Sequence, residues 1–249
     1  RHSQGWVDEV VTDIEDLVIR VKKAKKEKEI VSIAYLGNVV EIWEKFAEKE
    51  ILVDLGSDQT SLHNPWAGGY YPMGMTVEES NEMMAKQPDL FKEKVQETLR
   101  RHVVAVNKCV ANGTYFFDYG NAFLLESNRA GAEIMKPDGD FKYPSYVQDI
   151  MGPMCFDYGF GPFRWVCTSS NPKDLEITDR IACEVLENLK KDAPEQIQQQ
   201  LADNIQWIKG AQENKLVVGS QARILYADAD GRMEIAAAFN KAIATGEIS

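Results

Sequence analysis

Between residues 30 and 135 the chain repeats one arrangement three times: a short apolar run, a polar turn containing glycine, then a segment with helical spacing of apolar residues. The apolar runs are residues 30–35, 51–55 and 114–117. The turns hold Gly37-Asn38, then the long stretch 56–71, then Asp118-Tyr119-Gly120-Asn121. Strands alternating with helices predict an α/β domain built on a parallel sheet. In such sheets ligands bind outside the carboxyl ends of the strands. These three turns are those ends, and their polar residues form a candidate site on topology alone.

The second turn is unusual in length and content. It crowds amide, hydroxyl, imidazole and phenol groups together with Gly56, Gly68, Gly69, Pro65 and Pro72. No regular element suits that composition, so residues 56–72 are expected to be a loop after a strand at 51–55. Trp66, Tyr70 and Tyr71 need burial, which argues for an ordered loop. A packed surface excursion and a ligand-binding loop both remain open on composition.

Elsewhere the spacing is mostly helical. Val7, Val10, Val11, Ile14, Leu17, Val18 and Val21 predict an amphipathic helix over 7–28. A second helix is expected over 39–48. Thr76, followed by Glu78 and Glu79, has the form of an N-cap for a helix to residue 86. A long helix is expected over 89–111, buried along Phe91, Val95, Leu99, Val103 and Val106 and closed by Asn112-Gly113. Residues 136–141 are polar with Pro137 and Gly139, a candidate boundary that divides the chain into 1–141 and 142–249. Beyond it Phe156, Tyr158, Phe160, Phe163 and Trp165 surround Arg164, the one cation between Lys142 and Lys173. A guanidinium so placed either pairs with a carboxylate of the fold or awaits an anionic ligand. Helices are expected over 174–191, 194–213 and 233–243, with little periodicity over 215–230.

The bulk chemistry narrows the function. A formal net charge of -11 opposes binding to nucleic acid, which needs a basic face. No apolar run reaches membrane-spanning length. Cys109, Cys155, Cys167 and Cys183 form no CxxC pair, so free thiols and a reducing, cytoplasmic setting are expected. There is no GxGxxG, phosphate-loop GKS or GKT, HExxH or GxSxG. His63 lies near Asp54 and Asp58, but no second histidine is close, so no metal site is expected. A Ser57 or Ser61, His63, Asp58 triad would crowd into one loop, whereas triads assemble from separate parts of a fold. His102 falls between Leu99 and Val106 at helical spacing, which predicts a histidine at the edge of the core. Cys167 has no activating base nearby in sequence.

Five motifs, taken together, are specific. Ser32-Ile33-Ala34-Tyr35-Leu36-Gly37-Asn38, Asp58-Gln59-Thr60-Ser61-Leu62-His63, Gly69-Tyr70-Tyr71-Pro72, Phe117-Asp118-Tyr119-Gly120-Asn121 and Phe160-Gly161-Pro162-Phe163-Arg164-Trp165 occur in this order. In order and spacing the chain resembles the urocanate hydratase (urocanase) family along essentially its whole length. The run from Val217 to Tyr226 is similar to the eukaryotic branch.

The resemblance implies a Rossmann-like NAD-binding domain, of which residues 1–141 are the later part, followed by part of an α/β core domain over 142–249. It implies hydration of urocanate to imidazolonepropionate in histidine breakdown. Tightly bound NAD+ serves there as an electrophile, not as a hydride acceptor. Cofactor contacts carry over to Asn38 and Val39, to Gln59, Thr60, Ser61, Leu62 and His63, and to Tyr70, Tyr71 and Tyr119. Arg164 would face the substrate, its guanidinium fork suiting the propenoate carboxylate. The resemblance also implies a homodimer and a longer enzyme, of which this chain, with no initiator Met, would be the middle. Where bacterial members carry a catalytic cysteine this chain has Leu225, so no thiol acts at that position. Two other classes stay open: an NAD(P)-dependent dehydrogenase, for which only His63 offers an acid or base, and an inert binding or structural module.

Overall fold

The computed structural model describes residues 2–5, 7–58, 62–120, 122–211 and 221–249. It forms two compact units, Arg1–Met151 and Gly152–Ser249.

The first unit runs β1 (Glu9–Val11), α1 (Ile14–Glu27), β2 (Ile33–Tyr35), α2 (Val39–Glu48), β3 (Leu55–Asp58), α3 (Val77–Lys86), α4 (Pro88–Ala111), β4 (Tyr115–Asp118) and α5 (Ala122–Arg129). Both of its described ladders are parallel, as the alternation of elements predicts. They are two pairs, β1 with β2 and β3 with β4, without hydrogen bonding between the pairs among the described residues. The helix expected over 7–28 starts later. Asp13 is extended and its side chain accepts from the amides of Glu15 and Asp16 (2.8 and 3.0 Å), which fixes the N-terminus of α1 there. Val10 and Val11 therefore lie on β1, opposite Ala34 and Tyr35. Arg20 on α1 bonds both Glu9 (2.7 Å) and Glu29 (2.8 Å), tying the helix to that strand.

β3 also begins later than its apolar run. Residues 51–54 lead in, and the ladder itself is Leu55, Gly56, Ser57 and Asp58 against Tyr115, Phe116, Phe117 and Asp118. Glycine is required at 56 by close approach: a Cβ there would stand 2.4 Å from the Trp43 ring of α2. α4 is the spine of the core, burying Phe91, Val95, Leu99, Val103 and Val106, with Pro88 in its first turn. α3 opens with a capping box in which Thr76 and Glu79 satisfy one another's amides. Residues 136–141 are closed by an isolated bridge between Met135 and Phe141, and Tyr143 beyond them is buried in this unit's core against Phe116.

The second unit contains a short helix α6 (Gly152–Met154), β5 (Gly161–Val166), α7 (Pro172–Asp192), α8 (Glu195–Gly210), β6 (Ala222–Ala227) and α9 (Ala229–Ala244). β5 and β6 pair antiparallel, Phe163 opposite Leu225. Their inner residues meet the helices in a core of Trp165, Ala182, Leu186, Leu201, Ile205, Ile208, Leu225 and Ile235. β6 lies inside a stretch without sequence periodicity: its residues are buried or half-buried throughout, so no exposed polar position marks an alternation.

Candidate functional site

β3 and β4 run parallel and end level, Asp58 beside Asp118. Both aspartates are buried at the carboxyl edge, where the pattern of the chain places a site. Asp118 accepts hydrogen bonds from the amides of Gly120 and Leu124, each 3.1 Å, and so shapes the turn into α5. Burial pushes its carboxyl above the usual aspartate range, against the opposing pull of those amides and of His63. The chain leaves β4 with the Tyr119 amide on the Asp58 carbonyl (3.2 Å). The Tyr119 ring is 42% exposed and stacks on Tyr146 with centroids 5.2 Å apart and planes 10° from parallel. Beside it His63 is exposed, and its Nε2 lies 3.9 Å from where a Cβ on Gly120 would stand. His63 and the Tyr119–Gly120 turn thus share one edge.

From Leu62 onward the long loop is held by contacts to its surroundings. Leu62 is buried at its start. Trp66 lies in the 3-10 turn Pro65–Ala67 with the Lys92 ammonium 5.2 Å from its ring centroid. Tyr70 and Tyr71 then diverge. Tyr70 is 4% exposed, and its hydroxyl shares a 3.0 Å hydrogen bond with His102 Nδ1 on α4. Tyr71 keeps to the surface side: its carbonyl accepts from Asn38 Nδ2 (3.1 Å) and its hydroxyl donates to Asn81 (2.9 Å). The Met73 amide donates to Thr98 on α4 (3.0 Å). Asn38 also caps α2, its Oδ1 accepting from the Val40 amide (3.0 Å), with half-buried Val39 between. One side chain therefore joins the first polar turn to the second.

His102 is the residue that sequence spacing misplaced. It is 0% exposed, at the centre of the core and not its edge. Trp43 and Phe123 pack on it at centroid distances of 6.2 and 4.8 Å. Burial drives its pKa from 6.5 to about 3. The ring is therefore neutral at ordinary pH, and the 3.7 Å approach of Asp58 Oδ2 to Nδ1 is neither an ion pair nor a hydrogen bond. Burial, with the Asp58 charge adding to it, also raises the Tyr70 phenol well above its ordinary value. A histidine one turn from Leu99 and Val106 carries no signal of a partner more than thirty residues away in sequence, so the pairing was not legible.

Of the residues singled out from sequence, Asn38, Val39, Leu62, His63, Tyr70, Tyr71 and Tyr119 fall on this edge or its loop. Gln59, Thr60, Ser61 and Asn121 lie outside the described residues, as do residues 212–220, which include Val217. Leu62 and Tyr70 point into the core, so what they offer a ligand is backbone. Ser57 Oγ is buried without a hydrogen-bond partner among the described residues, so a triad through Ser57 has no bond to rest on, while Ser61 lies outside the described residues. Among the described residues no cluster of His, Cys, Asp and Glu has the form of a metal site. In the second unit Arg164 is exposed on β5, opposite Ile224. No ion pair engages it among the described residues. Leu225 is buried in that unit's core.

Comparison with known proteins identifies the family. The profile of the urocanase Rossmann-like domain matches residues 1–150, and that of the urocanase C-terminal domain matches residues 153–249. A protein of Dictyostelium discoideum named "Probable urocanate hydratase" is 61% identical over 255 residues. One of the same name from Caenorhabditis elegans is 54% identical over 255 residues. The "Urocanate hydratase" of Mus musculus is 51% identical over 257 residues. Each alignment takes in 100% of this chain and 38% of the relative, so the chain spans well under half the length of these curated relatives. The chain belongs to the urocanase family. No described helix is long and apolar enough to cross a membrane.

Proposed function

We propose that this chain supplies part of a urocanate hydratase, an enzyme that adds water to urocanate to give 4-imidazolone-5-propanoate in histidine degradation. Family membership along the whole chain supports the reading. The observation that carries it is local. His63, the Tyr119–Gly120 turn and the joined Asn38–Tyr71 pair collect at the carboxyl ends of parallel strands, where α/β sheets bind ligands.

The cofactor of this reading is NAD+. The residues present fit one portion of it. An exposed phenol stacked on a second ring offers a flat platform, His63 offers a polar edge, and the absence of a Cβ at Gly120 leaves the turn open beside it. Asn38, Val39, Gln59, Thr60, Ser61, Leu62, His63, Tyr70, Tyr71 and Tyr119 would hold it. No glycine-rich phosphate turn is present in this sequence to cradle the pyrophosphate. When bound, NAD+ would supply an electron sink for the imidazole ring of the substrate. The chain's own part is to orient and to exclude misaligned poses. On this reading residues 1–141 are the later part of the NAD domain and residues 142–249 belong to the core domain. Arg164, exposed and without an ion-pair partner among the described residues, is assigned to the propenoate carboxylate. A cytoplasmic homodimer completes the reading.

The test uses the complete enzyme. Arg164→Lys keeps the charge but loses the planar fork, and the Michaelis constant for urocanate is expected to rise about tenfold. An unchanged constant would remove Arg164 from the site. The 249 residues alone are expected to bind NAD+ weakly and to show no turnover. Urocanate hydration by the isolated piece would overturn that expectation.

A further inference from the structure

The buried imidazole of His102 is the polar group that the reading above leaves without a task. Most of its surroundings are apolar, with the buried Asp58 Oδ2 3.7 Å from Nδ1 as the exception beside Tyr70. Leu99 and Val103 flank it on α4, and Trp43 and Phe123 press against it from α2 and α5. A leucine would fill such a place without the cost of stripping water from an imidazole. Its Nε2 has no hydrogen-bond partner among the described residues, so that cost is offset through one atom. That atom is Nδ1, and its hydrogen-bond partner is the Tyr70 hydroxyl at 3.0 Å.

Tyr70 ends the loop that carries His63, and it adjoins Tyr71. Around these residues the loop is held at three further places. Asn38, the N-cap of α2, holds the Tyr71 carbonyl at 3.1 Å, Asn81 on α3 accepts from the Tyr71 hydroxyl at 2.9 Å, and Thr98 on α4 accepts from the Met73 amide at 3.0 Å. The Tyr71 hydroxyl bond is exposed and the bonds from Asn38 and to Thr98 are part-buried. The Tyr70–His102 bond is the one of these four that is buried at both ends, one turn of α4 from Thr98. A tyrosine drawn inward fixes both the depth of the loop and the direction in which its neighbour leaves.

We propose that His102 is a positioning residue for the cofactor: by holding Tyr70 in the core it sets residues 62–71 against the carboxyl edge of β3 and β4. It touches neither cofactor nor substrate. The proposal rests on the reading that this loop lines an NAD+ site.

The experiment compares His102→Leu, His102→Asn and Tyr70→Phe in the complete polypeptide. Leucine keeps the packing and loses the hydrogen bond. Asparagine restores an amide group that can donate or accept near the place of Nδ1. Phenylalanine removes only the hydroxyl. Amide hydrogen exchange over residues 62–72 reports the loop, and calorimetry reports the dissociation constant for NAD+. His102→Leu and Tyr70→Phe are each expected to weaken NAD+ binding about tenfold and to speed loop exchange by a similar factor. The double variant is expected to be no worse than either, because one bond is being broken twice. His102→Asn is expected to recover most of both losses. Should His102→Leu fail to fold, Tyr70→Phe decides alone. Lowered thermal stability with binding and loop exchange within twofold of wild type would make His102 merely structural and overturn the proposal. If the wild-type polypeptide binds no NAD+, the cofactor reading fails instead, and loop exchange still decides whether His102 holds the loop.

Discussion

His102 in the first unit and Arg223 in the second are both buried basic side chains, 0% and 5% exposed, and each unit meets the cost differently. The imidazole discharges. Burial takes its pKa to about 3, and a neutral ring shares one bond with a neutral phenol. The guanidinium cannot discharge, so it needs an anion. Asp179 supplies one at 2.8 Å, and burial pushes that carboxyl above its usual range in spite of the cation beside it. The contrast separates positioning from neutralising. A neutral pair can be lost without stranding a charge, so it is free to serve geometry, whereas a part-buried ion pair is bound first to its own neutrality.

Acid is the strongest lever on that contrast. The folded pKa of His102 lies below its unfolded value, so the stability it contributes is whole above about 6.5 and is lost as pH falls toward 3. Carried to the acid limit, that difference corresponds to about 5 kcal/mol. Urea unfolding between pH 7 and 4 should show the midpoint falling, and the His102 ring resonances should not titrate above pH 4. Titration near 6.5 would mean the ring is not buried as described. Arg223 comes next. Arg223→Met strands the Asp179 carboxylate and is expected to cost about 3–5 kcal/mol at pH 7, with a second change, Asp179→Leu, recovering most of it. If the single variant costs less than about 1 kcal/mol, the pair is solvated and the comparison with His102 collapses. Arg164 should show the smallest effect. It is exposed on β5, and Arg164→Ala is expected to alter unfolding free energy by no more than about 0.5 kcal/mol. A larger loss would give this residue a structural role in place of the proposed one.

Much of the fold was legible because its signals are local. The apolar stripe of α4, the Thr76 cap and the Asn112-Gly113 stop each declare themselves within a few residues, and each is found where expected. The parallel pairing was legible from alternation alone. What escaped notice depends on distant neighbours. Val10 and Val11 satisfy helical spacing with Ile14 and Leu17, and only the pairing of β1 with β2 makes them a strand. Gly56, Ser57 and Asp58 have the composition of a turn, yet they are held extended by β4, with Trp43 occupying the room a side chain would need. The site was legible as an edge, through its polar turns. Its inner support was not, since nothing near His102 in sequence names Tyr70.

The bare backbone at Gly56 has a consequence at the rim. Trp43 slides under β3 at that point, so α2 approaches the strand more closely than any side chain there would permit. The same ring backs onto His102 at 6.2 Å. At the N-terminus of α2 stands Asn38, whose amide meets the Tyr71 carbonyl. Gly56 therefore works as a spacer of zero thickness: it sets how high α2 rides on the sheet, and with it whether the two polar turns come level enough to meet.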